Sequence, residues 1–298
     1  LGAAEEPSCT HELGYEPFGG LILVPVEVGS SPPLNFVLDS GATQSAITDP
    51  FLAEALGLEV RDVGVARGMG SGRTPVHITQ EVSIRALGFE LLRAPLVVHD
   101  IAARLTAMAG REIHGFLGAD LFERYVVEID SARRRLLLHD PRSFSYRGRG
   151  EELPLEIVDR RPVVTGRVVV EAGKKPVPVR LVVDTGSSRQ LTLIIGSRRQ
   201  LKPPVERKLG GSVGVVGDTL VVVGRVARLE IGSMAAEAVE TAWVEPFRIP
   251  AVGNIPKVNG ILGTPLLLRY RVFFDYPHGR LILETLSGNP DTANELPD

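Results

Sequence analysis

VVDTGSS at residues 182–188 is nearly repeated by VLDSGAT at residues 37–43. In both stretches a short apolar run ends at an aspartate, and a hydroxyl-bearing residue and a glycine follow it. A single Asp-Ser/Thr-Gly is typical of an ordinary turn. Two copies, with Asp39 and Asp184 lying 145 residues apart, indicate instead that a larger unit is repeated.

A second motif repeats in the same register. GFLG at 115–118 and GILG at 260–263 each end 79 residues after the aspartate of their own half. Repetition over most of the chain predicts two similar lobes that arose by duplication of one. The same shift of 145 residues also superimposes Leu121 on Leu266, Arg124-Tyr125 on Arg269-Tyr270, Asp130 on Asp275, and Arg135-Leu136 on Arg280-Leu281.

The apolar segments of the chain are short, rich in Val, Ile and Leu, and bounded by Gly, Pro, Asn or Asp, as in LILVPVEV, YVVEID and RLILET. This pattern is typical of β-strands, and helical periodicity over ten or more residues is scarce. We therefore predict a mostly β protein with a few short helices. The helices are expected at 48–57, 119–125 and 264–270, the last with Thr264 as its cap, and a hairpin should end each lobe.

Composition shifts along the chain predict its domain organisation. A polar stretch rich in Pro, Gly and Ser separates the two repeated halves and is predicted to be a linker. The expected units are an N-terminal extension at 1–18, an N-terminal lobe at 19–140, a linker at 141–159, a C-terminal lobe at 160–287 and a loose tail at 288–298.

The charge of the chain is nearly balanced, with 33 basic and 36 acidic residues among 298 and a net charge of −3. This balance disfavours nucleic acid or an anionic membrane as the main partner. The basic clusters at 133–135, 160–161 and 174–175 are interpreted as solvated surface. No apolar run reaches 18 residues, so no transmembrane helix is predicted.

Cysteine and histidine usage points to no metal site and no cofactor. Cys9 is the single cysteine, which excludes an internal disulfide, and the six histidines never fall at ligand spacing. The first residues, LGAAEEPS, suit a position just past a small-residue cleavage site. An exported or periplasmic location is therefore an expectation, although the cysteine count alone leaves the compartment open.

On these motifs the sequence resembles the aspartic peptidases of the pepsin and retropepsin type, in particular the bacterial retropepsin-like proteases that fuse two lobes in one chain. The resemblance covers both halves and implies two β-barrel lobes related by a pseudo-twofold axis. It implies that Asp39 and Asp184 form the catalytic pair, with hydroxyls that brace the two loops and glycines that let them bend near the carboxyls. The residues that match these supporting positions are Ser40, Gly41, Thr185 and Gly186.

The activity implied is that of an endopeptidase that hydrolyses an extended polypeptide. Two carboxyls that share one proton supply both a base to activate water and an acid to protonate the substrate. The partner expected is therefore a peptide or protein substrate, and since both aspartates lie on one chain, the active species is expected to be a monomer.

Two glycine-rich stretches, RGMGSGR at 67–73 and GGSVGVVG at 210–217, are predicted to be flaps over the cleft. Pepsin-like enzymes carry a tyrosine in the first flap, and neither stretch has one. The retroviral arginine after the second motif is also absent, since Ala119 and Thr264 stand there. The residues predicted to contact substrate are Gly68, Met69, Gly70, Ser71, Ser212, Val213, Gly214 and Val215.

Three other interpretations compete with the peptidase. Residues 210–214 fit the G-x-S-x-G pattern of a nucleophile elbow, which requires a strand before it and a helix after it. A glycosidase also uses two carboxylates. A non-catalytic peptide-binding β protein that has kept the aspartic-peptidase fold is the more serious alternative.

Overall fold

The computed structural model describes residues 11–66, 74–214, 217–245 and 258–286. Within these ranges the protein is mostly β, as predicted, with four short helices. The helices are α1 (Pro50–Ala55), α2 (Ala102–Ala109), α3 (Ala119–Arg124) and α4 (Thr264–Leu267). The strands are β1 (His11–Gly14), β2 (Glu16–Phe18), β3 (Leu21–Val28), β4 (Leu34–Leu38), β5 (Ala46–Ile47), β6 (Val60–Ala66), β7 (Thr74–Ala86), β8 (Phe89–Val98), β9 (Gly115–Leu117), β10 (Val126–Asp130), β11 (Arg135–His139), β12 (Glu151–Pro154), β13 (Glu156–Val158), β14 (Arg161–Val169), β15 (Val177–Asp184), β16 (Leu191–Ile194), β17 (Arg207–Gly214), β18 (Gly217–Ile231), β19 (Met234–Val244), β20 (Gly260–Gly263), β21 (Tyr270–Asp275) and β22 (Arg280–Thr285).

Two barrels of the same construction form the lobes. In the first lobe β3, β4, β9, β5, β8 and β7 follow one another in the sheet, and a pairing between β3 and β7 closes the ring. In the second lobe β14, β15, β20, β16, β19 and β18 do the same, closed by β14 and β18. The predicted fold class, two similar β-barrel lobes related by a pseudo-twofold axis, is thus confirmed.

In the wall of each barrel, the strand of the second motif lies between the two strands that flank the aspartate loop. β9 runs parallel to β4 and antiparallel to β5, and β20 has the same relation to β15 and β16. The residues before these strands, His114 and Asn259, accept hydrogen bonds from the backbone N–H groups of Asn35 and Arg180 at 3.1 and 2.9 Å. Two different side chains therefore perform the same structural task in the two lobes.

A third sheet joins the lobes. Its strand order is β1, β11, β10, β21, β22, β12, so the predicted terminal hairpins β10–β11 and β21–β22 lie side by side. β10 pairs with β21 over three residues of each strand. Segment 140–150 crosses one face of this sheet, where Phe144 and Tyr146 pack on Phe273. Glu128 of this sheet is fully buried, and a 2.7 Å hydrogen bond joins it to His139 Nε2.

Local sequence signals set the helix ends, with one correction. Asp49 caps α1 by accepting a hydrogen bond from Phe51 N–H, and Pro50 opens the helix. Thr264 does not cap α4, because Gly263 occupies the cap position and Thr264 is the first helical residue. The Thr264 hydroxyl donates instead to the carbonyl of Thr185 at 2.7 Å, in the second aspartate loop.

The predicted linker at 141–159 contains strands β12 and β13, and residues 11–18 of the predicted extension contain β1 and β2. β12 pairs with β22 as β1 pairs with β11, so each half begins with a strand that lies beside its own final hairpin. The exact lobe boundaries stay a prediction.

Phe122 of α3 links the first lobe to the joining sheet, and its replacement by alanine should be strongly destabilising. Its ring is fully buried and lies 5.2 and 5.4 Å from the rings of Phe274 and Tyr276. We expect Phe122→Ala to cost about 3–5 kcal/mol of unfolding free energy. Phe51→Ala is the matched control, because Phe51 is 78% exposed and its loss should cost about 0.5 kcal/mol or less. Equal denaturation midpoints for the two variants would contradict this assignment of the core.

Candidate active site

The two aspartates meet where the barrels touch. Asp39 follows the last residue of β4, and Asp184 is the last residue of β15. Behind each loop lies the strand of the second motif, so that Asp39 N–H donates to the carbonyl of Leu117 at 2.9 Å. Leu117 and Leu262 of these strands are fully buried, which gives each loop a rigid support.

The hydroxyls that follow the aspartates bind each loop to the other lobe. Thr185 Oγ1 accepts from Ser40 N–H at 2.9 Å and donates to the carbonyl of Leu38 at 2.7 Å. Ser40 Oγ accepts from Thr185 N–H at 3.0 Å and donates to the carbonyl of Val183 at 2.7 Å. Both side chains are fully buried, so these four bonds form a symmetric, water-free brace beneath the carboxyls.

The glycines of the two loops make room for the opposite carboxyl. A Cβ placed on Gly41 would lie 2.5 Å from Cγ of Asp184, and one placed on Gly186 would lie 2.4 Å from Cγ of Asp39. No side chain fits at either position without displacing an aspartate. The supporting residues predicted from sequence therefore all lie at the junction between the two loops.

The two carboxyls contact each other through a side-chain hydrogen bond and have unequal surroundings. Asp39 Oδ1 accepts from the backbone N–H groups of Gly41 and Ala42, both at 2.9 Å, whereas Asp184 Oδ1 accepts from Gly186 N–H at 2.8 Å. Burial raises the pKa of both groups. The neighbouring Asp39 raises the pKa of Asp184 further, because two like charges in contact repel each other. The pKa of Asp184 is therefore raised more than that of Asp39.

Arg161 is a site residue that the sequence analysis missed. The RR pair at 160–161 was interpreted as solvated surface, but Arg161 is only 9% exposed. Its Nε donates to the carbonyl of Gly41 at 2.8 Å, and its charge lowers the pKa of both aspartates. The shift of 145 residues aligns Arg161 with Glu16 and gives no hint of this placement.

Apolar clusters lie on the same side of the strands as the aspartates. Side chains alternate along a strand, so Val182 shares a face with Asp184, two residues later. Val182 packs with Val163 and Ile261, apart from the main core that holds Leu181 and Val183. In the first lobe the equivalent cluster comprises Leu21, Leu23, Val37 and Ile113, and Leu105 and Ala109 of helix α2 pack on it.

The predicted flaps are only partly described. Stretch 67–73, with Gly68, Met69, Gly70 and Ser71, lies outside the described residues, as does Val215. Its flanking strands β6 and β7 remain paired up to Ala66 and Thr74. Ser212, Val213 and Gly214 belong to β17, which pairs with β18 as far as Gly214 and Gly217. Both candidate flaps therefore lie at or beyond the ends of long antiparallel hairpins, and their contact with substrate stays a prediction.

The β17–β18 hairpin also excludes the nucleophile-elbow alternative. Residues 210–214 lie within strand β17, and the chain continues into strand β18 rather than into a helix. The strand-to-helix turn that an elbow requires is absent. Arg189, which follows Asp184 by five residues, donates to the carbonyl of Gly211, so this hairpin contacts the second aspartate loop.

Other features of the described residues lie away from the two aspartates. A cavity of about 720 Å³ lies on the second lobe between segments 170–172, 204–208 and 223–227, and neither aspartate lines it. No group of three or more potential metal ligands occurs in the described part of the chain. Among the same residues, no helix has the length and hydrophobicity needed to cross a bilayer.

Comparison with known proteins agrees with this geometry. A family model described as aspartyl protease matches residues 24–121, which include the first aspartate loop and the first copy of the second motif. DNA damage-inducible protein 1 of Chaetomium globosum is 27% identical over 180 residues, which cover 55% of this chain and 36% of that protein. The chain thus spans about a third of the length of this curated relative.

Two six-stranded barrels that present a pair of Asp-Ser/Thr-Gly loops to each other, together with the family match, fit a two-lobed protein of the retropepsin-like aspartyl protease type. Both lobes lie on one chain, as in the single-chain retropepsin-like proteases that the sequence resembles. The family match and the relative support aspartic protease activity in general.

Removing the Thr185 hydroxyl should weaken the attachment of the lobes to each other. Thr185→Val keeps the shape of the side chain but leaves the buried Ser40 N–H and Leu38 carbonyl without this partner, so we expect a loss of about 2–4 kcal/mol in unfolding free energy. Thr241→Val is the matched control, because Thr241 is equally buried but its hydroxyl bonds only to Val239 in its own strand.

The two hydroxyls of this brace should show energetic coupling in a double-mutant cycle. Ser40→Ala and Thr185→Val remove bonds of one network, so their effects should fall short of additivity by about 1 kcal/mol or more. Additive losses in urea denaturation would show that the two hydroxyls act independently, contrary to the brace.

Proposed function

We propose that the protein is an aspartic endopeptidase in which Asp39 and Asp184 together activate water against a peptide bond. The observation that carries the proposal is the contact of the two carboxyls across the lobe boundary, each positioned by the backbone N–H groups of its own loop. Two carboxyls brought into contact from separate lobes keep one proton between them, and peptide hydrolysis requires both an acid and a base.

The unequal hydrogen bonding supports a division of roles. Asp39 receives two N–H donors on its carboxylate and is the base, whereas Asp184, whose pKa is raised further, is the acid. Asp39 takes a proton from water as the water oxygen attacks the carbonyl carbon, and Asp184 gives its proton to the carbonyl oxygen. Asp39 then passes its proton to the amide nitrogen, the C–N bond breaks, and Asp184 regains a proton from the intermediate's hydroxyl. The enzyme returns to its starting state.

The substrate proposed is an extended polypeptide with bulky apolar side chains near the cut. The apolar clusters around Val37 and Val182 are buried, but they lie on the carboxyl side of both central strands and make this side of each barrel apolar. From this we infer a preference for apolar side chains beside the reacting bond. The second barrel lacks a counterpart of helix α1, since the described residues 195–206 are turns and coil. A cleft whose two sides differ is suited to a peptide, because a peptide chain differs in its N-terminal and C-terminal directions.

Replacing either aspartate by asparagine should abolish hydrolysis. Asparagine keeps the size of the side chain but neither gives up nor accepts the catalytic proton, so we expect Asp39→Asn and Asp184→Asn each to lower kcat/KM by roughly 10³-fold or more. The double variant should lose little more, because the pair acts as a unit. Cleavage of an unfolded protein mixture, followed by mass spectrometry, is the measurement.

Controls separate this proposal from its alternatives. Wild-type cleavage should be stopped by a statine-type inhibitor and should be unaffected by a chelator. Peptide binding without cleavage by the wild type would favour the non-catalytic peptide-binding protein. Turnover that persists in either single variant would exclude the paired mechanism.

The acid assigned to Asp184 also predicts a change in stability with pH. Because its pKa is higher in the folded protein than in the unfolded chain, ionisation of Asp184 opposes folding as pH rises above the unfolded value of about 3.9. Asp184→Asn has no such ionisation. We therefore expect its denaturation midpoint to exceed that of the wild type at pH 7, with the difference shrinking towards pH 4. A difference that stays constant with pH would argue against a raised pKa.

The active species proposed is a monomer. Both half-sites lie on one chain, and the connection between them keeps the lobes at an effective concentration on the order of millimolar. Specific activity should therefore stay constant when the enzyme is diluted over three decades from micromolar. A steep decline would mean that the working site is shared between two chains.

A further inference from the structure

The turn between β13 and β14 carries two arginines, Arg160 and Arg161, and its backbone has positive φ angles. Asp159 and Arg160 have φ angles of 48° and 60°, whereas Gly19 and Gly20 occupy the equivalent turn of the first lobe. Residues other than glycine at such angles cost about 1 kcal/mol or more each. Two-residue hairpin turns favour positive φ at both central positions, so the second turn keeps the conformation of the first with Asp and Arg in place of two glycines.

Both arginines of this turn reach the other lobe. Arg160 forms a two-bonded ion pair with Glu123 of α3 at 2.8 and 2.6 Å. Arg161 donates through Nε to the carbonyl of Gly41 and through Nη1 to Asp159 at 2.6 Å. The residue equivalent to Arg161 in the first turn is Leu21, so the second aspartate loop receives no matching cation.

The Gly41 carbonyl that Arg161 holds belongs to the peptide unit whose N–H is contributed by Ala42. That N–H donates to Asp39 Oδ1 at 2.9 Å. Arg161 and Asp39 therefore bind opposite ends of one peptide group. A cation on the carbonyl oxygen polarises the group and makes its N–H a stronger donor. Ala42 N–H and its equivalent in the second loop, Ser187 N–H, both bond to the main-chain carbonyl of their own aspartate, at 3.2 and 3.3 Å. The first loop differs in the additional bond from Ala42 N–H to the Asp39 carboxylate.

We propose that Arg161 is a positioning residue that assigns the ionised role to Asp39, by holding the 41–42 peptide unit against the Asp39 carboxylate. The two lobes are duplicates, so their aspartates would otherwise be nearly interchangeable. Arg161 breaks that equivalence and fixes which carboxyl is base and which is acid. This inference rests on the proposed function, since the roles matter only if the pair is catalytic.

The other charged and titratable groups around Arg161 do not remove this asymmetry. Asp159, its partner in the turn, has a side chain that is 63% exposed and therefore largely hydrated. Arg160 is occupied by Glu123. Tyr276, from the turn between β21 and β22, donates to the carbonyl of Ser40 at 3.4 Å, and burial raises its pKa well above the usual value, so it stays neutral. Arg161 is thus the cation that acts on the Gly41 carbonyl.

The test measures the two carboxyls directly. Aspartates labelled with ¹³C at Cγ are titrated by NMR in the full-length protein, and Asp39→Asn and Asp184→Asn assign the two signals. In the wild type the Asp39 signal should follow mainly the lower titration step of the pair and the Asp184 signal mainly the higher one, whereas in Arg161→Met each signal should show both steps to a similar extent. Arg161→Lys keeps the charge but not the planar Nε donor, and should retain only part of the separation. Arg160→Met, which loses a bond between the lobes from the same turn, should titrate like the wild type.

Kinetics supply the second readout. Arg161→Met should lower kcat by roughly tenfold or more with little change in KM, because the base is mispositioned while the peptide cleft is intact. Both limbs of its pH profile should move to higher pH, since a cation that favours the ionised forms has been removed. Arg160→Met should keep the wild-type profile even if its denaturation midpoint falls.

The outcomes separate this inference from the proposed function. If the wild type cleaves peptides and Arg161→Met keeps both the separate titrations and the pH profile, the inference is wrong and the endopeptidase stands. If the wild type does not cleave but Arg161→Met merges the titrations, the endopeptidase is wrong and the role of Arg161 in charge assignment stands.

Discussion

The four hydrogen bonds exchanged by Ser40 and Thr185 are the constraint on which the rest of the structure depends. They bond each loop to the backbone of the opposite lobe, at 2.7–3.0 Å and without access to water. Two carboxyls in contact repel each other when ionised, so something must hold them together. The brace does so from below, and the glycines above it leave space for each carboxyl beside the opposite loop.

Duplication explains the symmetry of the site but not its chemistry. Two equal halves would give two equal aspartates, whereas an acid and a base must differ. The two loops differ in the additional N–H donor on Asp39 and in the arginine on the Gly41 carbonyl, and we propose that these contacts separate the base from the acid. The barrels, the brace and the supporting strands could therefore stay alike in the two halves while the charges and hydrogen bonds around the two aspartates became different.

The sequence predicted the features that both halves repeat, and it did not reveal those in which the halves differ. Asp39, Asp184 and their supporting residues were found because both copies carry them in register. Arg161 was missed because the turn that holds it precedes the aspartate by a longer hairpin. Val163 pairs with Val182, whereas Leu23 pairs with Val37, and the second hairpin is five residues longer. Thr264 was assigned to a helix cap because its role depends on a partner from another part of the chain.

The joining sheet gives the molecule a mechanical property. Among the described residues, the two halves share one β-ladder, the pairing of Val127, Glu128 and Ile129 with Phe274, Phe273 and Val272. This seam joins equivalent strands of the two halves, so it lies at the pseudo-twofold axis, where rotation of one lobe against the other displaces atoms least. A few degrees of rocking about this axis would widen or narrow the distant cleft walls, while the seam and the carboxyls held by the brace would move least.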